Sequence, residues 1–157
     1  QLINEGSKLI KLSEETLVLV SCRTYFNRIV LPYNPDTIVF YAGDNDIGSG
    51  TSADELLNEF LLFTSEVAEK IPHTRCFFIS IKPSVFRSEY LDIILDFNKK
   101  VKNSIDHLNQ WKYIDLCSPM LETGYEKFYG EDPLHMNILG YSLLSKLIRD
   151  QLDIFLN

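Results

Sequence analysis

The sequence predicts a three-layer α/β/α sandwich with a parallel sheet, and three observations support this fold class. Short apolar runs alternate with longer amphipathic runs along the chain, which is typical of strand–helix–strand units. Residues 37–42 are apolar almost throughout, as expected for a strand covered on both faces. The chain has 157 residues and contains no internal repeat or linker-like stretch. We therefore expect one domain over residues 1–157.

Four runs rich in β-branched and aromatic residues predict strands, at residues 16–21, 37–42, 76–81 and 113–116. Because a strand–helix–strand crossover of this length is short and right-handed, we expect strand 16–21 to lie beside strand 37–42 in a sheet of at least four strands.

The amphipathic runs between these strands predict helices. Apolar residues recur at helical spacing between Tyr25 and Val30. The sequence Ser52-Ala53-Asp54-Glu55 has the form of a capping box, so a long helix should begin there and end at Pro72. Two further helices are predicted across residues 91–108 and 138–148.

Composition narrows the range of partners. The net charge of −7 and the scattered distribution of the 15 basic residues argue against nucleic-acid binding. No apolar run reaches the roughly 20 residues of a membrane span.

Three cysteines do not form a disulfide framework, and no Cys/His cluster has the spacing of a metal site, so we expect neither a metal ion nor a cofactor. The odd cysteine count and an N-terminus without signal-peptide features favour a soluble, cytoplasmic protein over a secreted one, although the compartment and the oligomeric state stay open.

Two polar motifs follow predicted strands. Gly43-Asp44-Asn45-Asp46 comes directly after strand 37–42, and Asp132-Pro133-Leu134-His135 lies in the loop after strand 113–116. In parallel α/β sheets, ligands bind beyond the carboxyl ends of the strands, so both motifs should lie on the same rim. An Asn amide there could donate to a developing oxyanion, and a histidine with a carboxylate three residues earlier could act as an oriented base. Asp132-Pro133 alone would be an ordinary turn, but the second motif on the same rim favours a functional dyad.

The two motifs resemble conserved blocks of a known family. Residues 41–47 and 132–137, followed by Gly140-Tyr141, look like the third and fifth blocks of the SGNH (GDSL-type) esterases and lipases. The stretch Ile81-Lys82-Pro83-Ser84 with Arg87 also resembles one branch of that family, and the resemblance covers roughly residues 24–150. It implies a flavodoxin-like sheet and an esterase, lipase or acylhydrolase that acts on a small-molecule ester through a serine nucleophile.

The resemblance also implies roles for individual residues. His135 would be the general base, Asp132 its orienting partner and Asn45 an oxyanion donor. Gly43 would let the backbone turn sharply. Asp46 would brace the loop by accepting hydrogen bonds from backbone amides.

The chain departs from the family pattern at the nucleophile. It contains no Gly-Asp-Ser, and no glycine between Gly6 and Gly43 that could supply the second oxyanion donor. Ser7 and Ser21 are the conceivable substitutes, and Ser21 is the better placed of the two, at the end of predicted strand 16–21. A strand-end hydroxyl bonded to the backbone is the more ordinary interpretation of Ser21.

We therefore expect an N-terminal part that is truncated or degenerate, and weak or absent esterase activity. Two alternatives stay open: a non-catalytic protein that binds a small acylated or sugar-like ligand, and a scaffold whose sheet edge recruits a partner.

Overall fold

The computed structural model describes residues 19–156, with side chains described as far as residue 154. The helices and strands follow one another in this order: α1 (Leu19–Tyr25), β1 (Thr37–Phe40), α2 (Asp44–Gly48), α3 (Ala53–Lys70), β2 (Arg75–Ile79), α4 (Leu91–Ile105), β3 (Trp111–Ile114), α5 (Cys117–Glu122) and α6 (Ile138–Leu156). Short π or 3-10 segments occupy Phe26–Val30, Leu31–Tyr33, Ser88–Tyr90 and Tyr125–Phe128.

The described residues form a parallel sheet of three strands in the order β1-β2-β3. Thr37 lies opposite Arg75, and Cys76 lies opposite Trp111. The predictions for strands 37–42, 76–81 and 113–116 are confirmed, with ends that differ by one or two residues. A fourth strand is not found within residues 19–156.

The prediction of a strand over residues 16–21 is wrong for residues 19–21, which lie in α1. Residues 16–18 lie outside the described part of the chain. Leu19 is 1% exposed whereas Val20 is 55% exposed, because α1 has one buried face. A short apolar run does not by itself separate a half-buried helix from a buried strand. The expected pairing of this segment with strand 37–42 is therefore also wrong for residues 19–21.

Helices cover both faces of the sheet, which confirms the three-layer fold. Side chains of β2 alternate between two hydrophobic cores. Cys76 and Phe78 pack with residues of α1, α3 and α4, whereas Phe77 and Ile79 pack with residues of α5 and α6. None of the helices formed by residues 19–156 is both long and apolar enough to cross a membrane.

Helix α3 begins at the predicted capping box. The Glu55 amide donates to Ser52 Oγ at 3.3 Å, and the Ser52 amide donates to Glu55 Oε2 at 3.0 Å. Both halves of the box satisfy amides that would otherwise lack a partner at the start of the helix.

Buried polar side chains hold the chain at the carboxyl end of β2. Asn98 on α4 accepts from the Ile81 amide and donates to the Ile81 carbonyl, both at 2.8 Å. Ser80 Oγ accepts from the amides of Leu116 and Cys117, both at 2.9 Å. These bonds tie the ends of β2 and β3 together and fix the start of the loop that reaches the candidate site.

Candidate active site

Gly43 makes the turn from β1 into α2. Its φ of +107° lies in the left-handed region that favours glycine. A Cβ at this position would lie 2.9 Å from Ile81 Cδ1 and 3.0 Å from Leu56 Cδ2. The backbone of Gly43 is therefore packed directly against the core, which fixes where the following residues begin.

Asp46 anchors this loop to α1. Its carboxylate oxygens accept from the Leu19 amide at 3.0 and 3.1 Å, and the side chain is buried. Burial raises the pKa of Asp46, and the Leu19 amide partly opposes that rise. Asp46 thus accepts hydrogen bonds from backbone amides as the sequence predicts, from Leu19 in α1 as well as from its own residue.

Asp44 carries two buried ion pairs. Arg87 Nη1 donates to its Oδ1 at 2.8 Å, and Lys82 Nζ donates to its Oδ2 at 3.1 Å. The three side chains are 9 to 14% exposed. One carboxylate therefore faces two cations, and this cluster has an excess of positive charge in a poorly hydrated position.

The same guanidinium contacts the candidate oxyanion donor. Arg87 Nη2 donates to Asn45 Oδ1 at 2.9 Å. Because a guanidinium only donates, the amide oxygen of Asn45 must face Arg87, and Nδ2 points away from it.

Asp132 and His135 form a hydrogen-bonded pair in a tight turn. His135 Nδ1 lies 2.6 Å from Asp132 Oδ2, and Asp132 Oδ1 accepts from the amides of Leu134 and His135 at 2.8 and 3.0 Å. These amides, followed by the His135 ring, lower the pKa of Asp132 to about 2. The carboxylate is thus ionised at neutral pH and only accepts, so in the neutral imidazole the proton lies on Nδ1 and the lone pair on Nε2. The side chains of His135 and Asp132 are 58% and 54% exposed.

Asn137 holds the segment after His135. Its Oδ1 accepts from the Leu139 amide at 2.9 Å and caps α6, while its Nδ2 donates to the Tyr129 carbonyl at 3.0 Å. The same side chain therefore joins the start of α6 to the loop that precedes Asp132.

Two hydrogen bonds join the loop of the Asp132–His135 motif to the segment between β2 and α4. The Phe86 amide donates to the Pro133 carbonyl at 3.1 Å. The Tyr129 hydroxyl donates to the Pro83 carbonyl. The structure therefore brings the turn of His135 against the segment that carries Arg87, which in turn contacts Asn45.

The structure gives the candidate nucleophile a different setting from the expected one. Ser21 lies in the first turn of α1, so the strand-end position on which its candidacy depended is wrong. Burial, with a contribution from Asp46, raises the pKa of the neighbouring Cys22 to about 11, which leaves that thiol protonated at neutral pH. Ser7 lies outside the described residues. Within residues 19–156, no group of three His, Cys, Asp or Glu side chains could hold a metal ion.

Sequence reasoning missed the cluster around Asp44. Lys82 and Arg87 belong to a stretch whose resemblance to the family is visible, but that resemblance assigned them no role. Two basic residues in the segment that follows a buried strand were the available signal, since cations need a partner where they are buried.

Comparison with solved structures identifies the fold. A carbohydrate esterase family 3 protein from Talaromyces cellulolyticus is 16% identical, with a TM-score of 0.77 over 89% of this chain and 68% of that one. A GDSL-like lipase from Bacteroides thetaiotaomicron is 17% identical, with a TM-score of 0.72 over 88% and 72%. A Streptococcus pneumonia protein provisionally assigned as a platelet activating factor is 26% identical, with a TM-score of 0.65 over 80% and 67%.

The chain therefore has the flavodoxin-like α/β/α fold of the SGNH (GDSL-type) hydrolases, and it spans about two thirds of the length of these structures. No protein-family model matches the sequence, and no curated protein matches it.

Proposed function

We propose that this chain carries the base and oxyanion-donor part of an ester hydrolase site that acts on a small-molecule ester. The observation that carries the proposal is the 2.6 Å hydrogen bond between His135 Nδ1 and Asp132 Oδ2, in a turn bonded to the segment that contacts Asn45. His135 is the base, Asp132 orients it, and Asn45 donates to the oxyanion.

The chemistry follows from the protonation of the dyad. With Nδ1–H bonded to Asp132, Nε2 takes the proton from a serine hydroxyl as its oxygen attacks the ester carbonyl. The carbonyl electron pair moves to oxygen, and Asn45 Nδ2 stabilises the resulting charge. Collapse of this intermediate breaks the bond to the alcohol, which leaves with the proton from His135, and the acyl group stays on the serine. Water then attacks the acyl-serine while His135 takes its proton, and the acid is released as the serine oxygen takes that proton back.

We expect the 157-residue chain to turn over a short-chain aryl ester barely above background. It has no serine matched to the family's nucleophile, and its oxyanion hole lacks the matched glycine donor. A site without its nucleophile keeps a residual acceleration of about 10³–10⁴ over water when its oxyanion hole is intact, so less is expected here.

The test is the hydrolysis rate of the chain beside His135→Ala and Ser21→Ala, with His107→Ala as a matched control on an exposed helix end. We expect all four rates to be low and Ser21→Ala to leave the rate unchanged. Robust turnover that is lost in both His135→Ala and Ser21→Ala would overturn this expectation and make Ser21 the nucleophile.

A second measurement addresses the roles of the dyad. A polypeptide extended at its N-terminus by upstream coding sequence that supplies a Gly-Asp-Ser should hydrolyse the ester, and His135→Ala should abolish that activity. Activity in the extended protein that survives His135→Ala and Asn45→Ala would contradict the proposed roles.

Non-catalytic binding of a small acylated ligand is the second candidate function. An oriented amide and a base on one rim, without a matched serine in the same chain, favour it. Acetate is a suitable probe, because its carboxylate presents the same type of oxygen to Asn45. Saturable shifts of His135 and Asn45 resonances on acetate titration, without ester turnover in the extended protein, would favour binding over hydrolysis.

A further inference from the structure

We propose that Arg87 is a positioning residue that fixes the side-chain amide of Asn45 in the orientation needed for an oxyanion donor. The inference deepens the proposed function and rests on it, because it assigns a residue that makes the donor effective. Arg87 would not touch the ester itself; it acts through Asn45.

The contact between the two side chains permits one amide orientation. Arg87 Nη2 lies 2.9 Å from Asn45 Oδ1. Rotating the amide by 180° would bring its NH₂ group against the guanidinium NH₂, so two donors would face each other. An Asn side-chain amide has nearly the same shape after a 180° rotation that exchanges Oδ1 and Nδ2. A fixed cation beside Oδ1 therefore determines the direction in which Nδ2 donates.

The guanidinium is itself held on several sides. Nη1 donates to Asp44 Oδ1 at 2.8 Å, and Nη2 donates to Asn45 Oδ1 at 2.9 Å. The backbone amide of Arg87 donates to Ser84 Oγ at 3.2 Å, which fixes the main chain from which the side chain extends. The guanidinium also lies against Gly48, where a Cβ would come within 2.6 Å of Arg87 Cζ. A planar group with two contacts on one edge and a glycine against it has little freedom to move.

Charge balance argues against a purely structural role. Lys82 already neutralises Asp44 through a 3.1 Å ion pair, so a second buried cation is not needed to stabilise that carboxylate. Within the described part of the chain, Arg87 Nε is buried and has no hydrogen-bond partner. The Nε–H group thus stays unsatisfied while the two Nη groups donate to Asp44 and Asn45. A cation on Oδ1 also polarises the amide and strengthens Nδ2–H as a donor.

The test follows the Asn45 side-chain amide by NMR in the 157-residue protein, so it does not depend on turnover. Arg87→Met removes the guanidinium but leaves the Lys82–Asp44 pair balanced. Gly48→Ala keeps Arg87 and displaces its guanidinium. Arg23→Met makes the same chemical change at a distant ion pair with Glu66 and serves as the matched control. Thermal unfolding of each variant verifies that it is folded.

In the unmodified protein and in Arg23→Met, we expect NOEs from the two Nδ2 protons to one set of neighbours. In Arg87→Met and Gly48→Ala, we expect these NOEs to divide between two sets as the amide samples both orientations. A single unchanged set in both folded variants would overturn the proposal.

Kinetics of an active extended form give an independent double-mutant cycle. Asn45→Ala should lower kcat by about 10²–10³-fold. Arg87→Met should lower kcat by a smaller factor with KM unchanged, and it should cause no further loss in the Asn45→Ala background. A loss that persists in that background would overturn the positioning role. An Asn45→Ala variant with full kcat would instead overturn the oxyanion role in the proposed function, while the NMR result would still decide whether Arg87 orients the amide.

Discussion

The loop that carries Asn45 and the turn that carries His135 lie on the same rim but are held in different ways. The first is fixed by contacts between residues distant in sequence: Asp44 with Arg87, and Asp46 with Leu19, all buried or nearly so. The second is held mainly by hydrogen bonds within four residues, which the amides of Leu134 and His135 donate to the Asp132 carboxylate. Both members of the dyad are more than half exposed. Changes in the first region should therefore affect folding as well as chemistry, whereas changes in the second should affect chemistry with little effect on stability.

The largest effect expected is for Asp44→Asn. The substitution leaves Lys82 and Arg87 buried without their carboxylate, so we expect a loss of about 3–5 kcal/mol in the free energy of unfolding, measured by urea denaturation. Asp54→Asn is the matched control, because Asp54 pairs with Lys100 and its side chain is 80% exposed; it should change stability little. Equal effects of the two substitutions would remove the contrast between the regions.

Gly43→Ala should have the next largest effect. The substitution combines a left-handed φ with a Cβ that would contact Ile81 and Leu56. We therefore expect a loss of about 2–4 kcal/mol in the free energy of unfolding, measured by urea denaturation. Gly50→Ala separates the two causes, since Gly50 has a φ of +94° and open space around it; its cost should be about 1–2 kcal/mol. If the two glycine variants lose the same stability, the packing of Gly43 against the core contributes nothing.

The smallest effect on stability is expected for Asp132→Ala, because its bonds are local and exposed. The pKa of Asp132 is lowered in the folded state to about 2, below its ordinary value of about 3.9, so its contribution is present above pH 4 and lost as the pH falls toward 2. We expect the stability difference between the unmodified protein and Asp132→Ala to shrink across this window in urea titrations. Taking the difference cancels the contribution of Glu66, whose pKa the Lys70 and Asn27 side chains also lower to about 2. A difference that stays constant from pH 5 to pH 2 would contradict the assigned cause of the shift.

The same distinction between local and distant contacts explains what the sequence could predict. The Asp132–His135 pair and the Ser52–Glu55 capping box are both three-residue spacings, and both hydrogen bonds are present in the structure. The three central strands were also predictable, because apolar runs bounded by turn residues carry that signal locally.

Contacts over long separations could not be predicted in this way. Arg87 and Asn45 are 42 positions apart, and no periodicity or spacing indicates which amide a buried guanidinium will bind. The assignment of residues 19–21 to a strand is wrong for a related reason: α1 packs against α3, and its backbone is held by Asp46, a residue 27 positions away from Leu19. Tertiary contacts of this kind override a local preference for extended structure.

The hydrogen bond from the Phe86 amide to the Pro133 carbonyl has a consequence for protein engineering. Because both partners are main-chain groups, side chains at positions 86 and 133 can be exchanged widely without deleting the bond. Proline at position 86 is the exception among the standard amino acids, since it has no amide hydrogen to donate. A library built around this rim should therefore vary the side chain at position 86 freely and omit proline there.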